Sequence, residues 1–342
     1  MSAAAEPVAP TIDIGALFGA AGSARDRVDA AVVAAAADVG FMTIKGLPAD
    51  APVGRAARAQ LLRIFALPPA VLRTLWRAKF EPRNQNVYRG WFPLQPGNVT
   101  SKQGMDLGGD IAHGAAVTDE RDPLRERTPR PPESQLPGWC AAAAAYYLAM
   151  EKICRALMQS IARSLQLPQD FFDASFHQGL STLRLLHYPT RSAEELAGCA
   201  PDVWVVHQGE RRYLTGAEHT DSGFVTLLAQ DDAPGLQARA RNGQWIDVPP
   251  QEGALVVNFG QVLERWSAGR IRATEHRVIG AAHERFSIPF FYEARADAEI
   301  RPLPGDDPAS FAPFLYGDYL WARIIEFVEF RGMKEQRRPA RA

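Results

Sequence analysis

The chain has 342 residues with 38 basic and 39 acidic side chains and a net charge of −1. It is long enough to bury a sizeable core and carries no basic footprint for nucleic acid or an anionic membrane surface. Three cysteines, Cys140, Cys154 and Cys199, fall at no metal-ligand spacing, which predicts reduced thiols in a cytoplasmic protein. The first residues show no basic segment followed by an apolar core, and no run approaches the roughly 18 apolar residues of a membrane helix.

Taken in order, residues 11–14 read as a short strand. Ser23 opens a helix with Asp26 in the capping-box position, and the helix runs to Gly40. Residues 41–44 form a strand, and 55–67 and 69–79 two further helices separated by the Pro68-Pro69 pair. From 80 to 137 the chain is rich in Pro, Gly, Arg and Asp without a sustained period, which predicts a lid or binding loop, with disorder as the alternative. Tyr88, Arg89 and Trp91 in that stretch either line a site or pack locally. Residues 139–165 carry apolar side chains at helical spacing and predict the longest helix, a support for the rest. A short helix near Asp170 follows, then strand after strand between 181 and 292, separated by Gly, Pro, Asn and Asp turns. A last helix spans 314–330. The expected organisation is one domain over 1–342: an N-terminal helical and lid region to 137, support helices at 138–180, a strand-rich core at 181–295 and a C-terminal helix beyond.

One triplet in the strand-rich core carries metal chemistry. His219 and Asp221 stand two apart, so in an extended strand they present an imidazole nitrogen and a carboxylate to the same face. At average Asp content, seven histidines place a His-x-Asp by chance in about one chain in three, so the pair alone is a weak signal. His276, in the β-branched run Ala-Thr-Glu-His-Arg-Val-Ile, is the candidate third ligand. Two histidines and one carboxylate leave three positions open on an octahedral Fe(II) for substrate and oxygen. His113, His177, His187, His207 and His283 have no acid two positions on and read as structural or exposed. Arg285 and Ser287 share a strand face, and a guanidinium fork beside a hydroxyl suits a carboxylate.

The blocks around the triplet are Ser-Gly-Phe-Val-Thr-Leu-Leu-Ala-Gln-Asp-Asp-Ala-Pro-Gly-Leu-Gln, Gly-Gln-Trp-Ile-Asp-Val-Pro-Pro and Gly-Ala-Leu-Val-Val-Asn-Phe-Gly. From about 183 to 292 the chain resembles the isopenicillin-N-synthase-like family of Fe(II)- and 2-oxoglutarate-dependent oxygenases. Weaker matches lie upstream at 40–46, 88–93 and 101–108. The resemblance implies a mostly β fold with flanking helices, a double-stranded β-helix (jelly-roll) barrel. It implies His219, Asp221 and His276 as iron ligands, and Arg285, Ser287 and Tyr188 as the grip on the distal carboxylate of 2-oxoglutarate. Leu186 departs from the pattern, since many relatives have Asn two before the tyrosine. The implied reaction consumes oxygen and 2-oxoglutarate, releases succinate and CO2, and hydroxylates or desaturates a small molecule.

On the substrate side, Arg184 shares a face with Tyr188 by period two. It either contacts an acid or phenolate on the substrate or forms a structural salt bridge. With Tyr88, Arg89 and Trp91 it predicts an anionic small-molecule substrate. The stretch 190–218, longer than in most plant relatives, is a place where specificity varies. Three other readings stay open: a cosubstrate-free oxidase like isopenicillin N synthase, an ethylene-forming type of 2-oxoglutarate breakdown, and a silent jelly-roll protein that only binds a ligand.

Overall fold

The alternation between 181 and 292 becomes the walls of two facing sheets in the computed structural model, which describes residues 9–95, 99–280 and 283–337. The strands are β1 (Thr11–Asp13), β2 (Phe41–Lys45), β3 (Gly90–Phe92), β4 (Gln103–Leu107), β5 (Thr182–Tyr188), β6 (Trp204–His207) and β7 (Glu210–His219). They continue with β8 (Val225–Gln230), β9 (Leu236–Arg239), β10 (Trp245–Asp247), β11 (Leu255–Phe259), β12 (His276–Ile279) and β13 (Arg285–Tyr292). The larger sheet runs β1-β2-β11-β8-β13-β5-β4-β3 and the smaller β10-β9-β12-β7-β6. β1 and β2 pair in parallel and the other pairs are antiparallel. This is a mostly β jelly roll with flanking helices.

Period two decides which side chains face the space between the sheets. On β5, Leu183 and Leu185 point into the main core while Thr182, Arg184, Leu186 and Tyr188 line the interior cavity. On β13, Ile288 and Phe290 join the core while Arg285, Ser287, Pro289 and Phe291 face the cavity.

The core side is covered by α1 (Ser23–Asp38) and α3 (Trp139–Ser164), with α2 (Arg55–Leu62) between them in sequence. α3 buries Tyr146, Tyr147, Met150, Ile153, Cys154, Leu157 and Ile161, the three-and-four spacing of one helical stripe. Tyr147 meets the sheet edge-on at Phe290, with ring centroids 4.9 Å apart, and its hydroxyl donates to the Ser181 carbonyl at 3.0 Å. Arg163 of α3 clamps Asp29 of α1 with two hydrogen bonds of 2.7 Å. One contiguous cluster of buried apolar residues extends from Ile12 to Phe330. Burying each large aliphatic or aromatic side chain there contributes about 1.5–3 kcal/mol.

Several boundaries differ from the sequence expectation. The N-cap of α1 is Gly22, without a side-chain cap, so Ser23 is already helical and no capping box forms with Asp26. That box forms instead at Ser192 and Glu195, opening the short helix Ala193–Ala197. The helix expected at 69–79 stops at Thr74, and the one expected at 314–330 is α4 (Tyr316–Ile324), preceded by a two-residue strand. The unpatterned stretch 80–137 contains β3 and β4, which extend the larger sheet. β3 and most of β4 are buried on both faces, which removes the polar alternation that marks a half-exposed strand. No described helix is long and apolar enough to cross a membrane.

Candidate active site

His219 closes β7 and His276 opens β12, and the two are register partners across the smaller sheet. Their rings lie 4.2 Å apart, inclined by 51°. Each Nδ1 faces the carbonyl two residues earlier in its own chain, Ala217 at 2.8 Å and Thr274 at 3.1 Å. Donation from Nδ1 to these carbonyls leaves each Nε2 as a lone pair, the tautomer a metal needs. Both Nε2 atoms face Asp221 Oδ1, at 3.7 Å and 3.8 Å. One ligand atom from each of the three residues lies within 4.8 Å of the others. A donor set of two neutral imidazoles and a carboxylate fits a divalent iron with open positions.

The electrostatics favour a neutral His219 and an ionised Asp221. The His219 side chain keeps 42% of its surface open to the cavity, but desolvation by the surrounding wall, with His276 alongside, pushes its imidazole down to about 4, so it is neutral at pH 7. Burial works against ionising Asp221, but over the acid range in which it titrates, positive charge on the neighbouring His276 and His219, together with hydrogen bonds from Thr226 and Asn258, holds its carboxyl below the usual range.

The cavity encloses about 400 Å³ between the sheets. At one end lies Arg285, only 2% exposed. Its guanidinium has no carboxylate partner among the described residues: Nη2 reaches Gln230 Oε1 at 3.4 Å and Nε has no hydrogen-bond acceptor. Tyr188, its register partner, places a ring 5.1 Å from the guanidinium carbon, and Ser287 lies on the same face. A buried guanidinium without an anion is costly, and it fits the carboxylate of a bound dicarboxylic acid.

The other end is bounded by Tyr88, Lys102, Thr182, Arg184 and Phe291 and by the C-terminal residues Leu320, Ile324, Phe327, Val328, Glu329 and Phe330. Arg184 forks onto Asp106, Nε to Oδ1 at 2.6 Å and Nη2 to Oδ2 at 2.8 Å, while Arg77 bonds the same carboxylate from behind. Lys102 pairs with Glu329 at 3.5 Å.

Residues 181–294 match the sequence model of the 2OG-Fe(II) oxygenase superfamily. The 2-oxoglutarate-dependent dioxygenase citB of Monascus ruber is 30% identical over 80% of each chain. The chain belongs to the 2OG-Fe(II) oxygenase superfamily. Isopenicillin N synthase of Streptomyces clavuligerus is 27% identical, over 91% of this oxygenase and 93% of its own length. In structure, a full-length Neurospora crassa protein in complex with alpha-KG superposes with a TM-score of 0.77 at 24% identity, covering 95% of this chain and 98% of that one. The protein is therefore a non-haem oxygenase that uses Fe(II) and 2-oxoglutarate.

Within this oxygenase the structure brings His219, Asp221, His276, Arg285, Ser287, Tyr188, Arg184 and Tyr88 to one cavity. Two expected substrate residues lie elsewhere. Arg89 is 2% exposed behind Tyr88, with its guanidinium bonded to Thr182 Oγ1 and to the Leu180 carbonyl. Trp91 is 1% exposed and packs against Phe65 at 5.1 Å. Successive side chains of an extended segment alternate, so Tyr88 and its neighbours cannot all face the same side. Among the histidines set aside as structural or exposed, His113 pairs with Glu151, His187 with Glu284 and His207 with Asp247. Sequence reasoning missed Asp106, Lys102, Thr226, Asn258 and the C-terminal wall. Lys102 and Asp106 stood inside the block 101–108, and Asn258 in Leu-Val-Val-Asn-Phe-Gly, but nothing in either block points to its partner.

Proposed function

We propose that this oxygenase oxidises a small, anionic organic molecule by hydroxylation or desaturation, coupled to the conversion of 2-oxoglutarate to succinate and CO2. In this reading His219, Asp221 and His276 hold the iron, and Arg285, Ser287 and Tyr188 hold the distal carboxylate of 2-oxoglutarate. The observation that carries it is the pairing of a three-ligand face with a buried, carboxylate-free Arg285 in one cavity. Bound iron supplies the activation of oxygen that no side chain provides. The chain's own residues orient the two organic acids and exclude water.

The anionic preference rests on charge at the far end. Three cations, Arg77, Arg184 and Lys102, face two carboxylates, Asp106 and Glu329. Glu293, at the same end, does not close the difference, because burial pushes its carboxyl up to about 8 and keeps it protonated at neutral pH. With Arg89 also within electrostatic range of Asp106, and Lys79 of Glu329, cations outnumber ionised carboxylates at this end of a wall that is otherwise aromatic and aliphatic. That suits an acid or phenolate on an apolar body.

The test is substrate-triggered succinate release, screened over amino acids, phenolics and polyketide-like acids with Fe(II) and 2-oxoglutarate present. Release that rises only with acidic compounds supports the reading. Oxidation of an added compound without succinate release overturns the proposed coupling. Breakdown of 2-oxoglutarate at full rate with no added compound supports the self-consuming reaction.

A further inference from the structure

Asp221 bridges the two sheets. The histidines belong to the smaller sheet, but the carboxylate of Asp221 is tied to the larger one. Thr226 on β8 donates its hydroxyl to Oδ2 at 2.6 Å, and Asn258 on β11 donates its amide to the same oxygen at 2.7 Å. These two donors are direct register partners across β8 and β11, and they are 6% and 3% exposed. Oδ1 receives neither of them and is the oxygen turned toward the two imidazoles.

We propose that Thr226 and Asn258 are positioning residues for the iron: by occupying Oδ2 they hold Asp221 to a single ligating oxygen and keep the remaining positions open for 2-oxoglutarate. The inference rests on the reading of His219, Asp221 and His276 as ligands. A carboxylate free to turn can offer both oxygens to one metal, and each extra protein ligand removes a position that the chelating oxoacid and oxygen require. Two neutral donors on the far oxygen prevent that turn and leave the negative charge in place for the metal. The backbone carbonyls of Ala217 and Thr274 fix the imidazoles in the same manner, so each candidate ligand has its remote atom occupied.

The experiment titrates the full chain anaerobically, first with Fe(II) and then with 2-oxoglutarate, following the charge-transfer absorption of the chelated oxoacid. Thr226→Val combined with Asn258→Ala is expected to weaken Fe(II) binding about 10- to 100-fold and to reduce the charge-transfer absorption even when iron is saturating. Thr226→Ser, which keeps the hydroxyl, should behave as the parent in both titrations. A double variant that retains the parent's circular dichroism, iron affinity and chelation spectrum overturns the role, provided Asp221→Ala has lost iron. If Asp221→Ala itself binds iron like the parent, the ligand assignment falls and the positioning role with it. Should the double variant not fold, Thr226→Val against Thr226→Ser carries the same comparison.

Discussion

Asp106 holds Arg184 by both carboxylate oxygens, at 2.6 Å and 2.8 Å, and shares one of them with Arg77. Asp106 and Arg77 are fully buried, and Arg184 is the member of the trio that reaches the cavity. Burial opposes ionising Asp106, but Arg184 and Arg77 hold its carboxyl below the usual range. Replacing Asp106 by Ala should destabilise the protein by about 3–5 kcal/mol, because two buried guanidinium groups lose their counter-charge. Urea unfolding of the variant and parent measures this directly.

Arg184 is at once a salt-bridge partner and a cavity group, so the two roles proposed for it on sequence grounds are compatible. Its fork faces Asp106 through Nε and Nη2, and Nη1 has no hydrogen-bond partner among the described residues. Arg184→Met should still bind iron and 2-oxoglutarate and make succinate slowly, while losing oxidised product. Product and succinate measured together give the coupling ratio, and an unchanged ratio removes Arg184 from the substrate.

Arg285→Lys keeps the charge but loses the planar fork beside Tyr188 and Ser287. The apparent affinity for 2-oxoglutarate should fall by about 1–3 kcal/mol, the scale of a charge-assisted hydrogen bond. Titration of the iron-loaded variant with 2-oxoglutarate gives the value. Parent-like affinity would place the distal carboxylate elsewhere.

Asp221→Ala removes the only carboxylate of the candidate metal face and should abolish stoichiometric Fe(II) binding and turnover together. His276→Ala should do the same. Metal analysis of the purified variants after iron loading and desalting is the check, and retention of full activity in either would refute the ligand set.

Glu293 gives a pH dependence with a defined sign. Burial raises its carboxyl from the ordinary 4.5 to about 8 in the folded chain. Between those values the folded state holds a proton that the unfolded state has released. Stability from this group is therefore complete below 4.5 and declines as the pH rises through 8, on the order of a few kcal/mol. Glu293→Gln, which stays neutral, should flatten that slope in melting temperatures taken from pH 5 to 9. An unchanged slope would mean that Glu293 is ionised in the folded protein.

The sequence by itself determined the features that depend on neighbours in the chain. Period two put Arg285 with Ser287 on one face of β13 and helical spacing marked α3, since those relations follow from backbone geometry alone; Asp221, expected on one strand with His219, instead lies two residues past the end of β7. Only the tertiary structure decided what depends on residues far apart. β3 and β4 stayed hidden because burial on both faces erases alternation, and the Asp106 to Arg184 pair joins positions 78 residues apart. The same holds for the wall that Phe327 to Phe330 add to the cavity and for the two donors that occupy Oδ2 of Asp221. Such contacts are set by how sheets and helices close on one another, and closure is a property of the whole packed core, which no local pattern encodes.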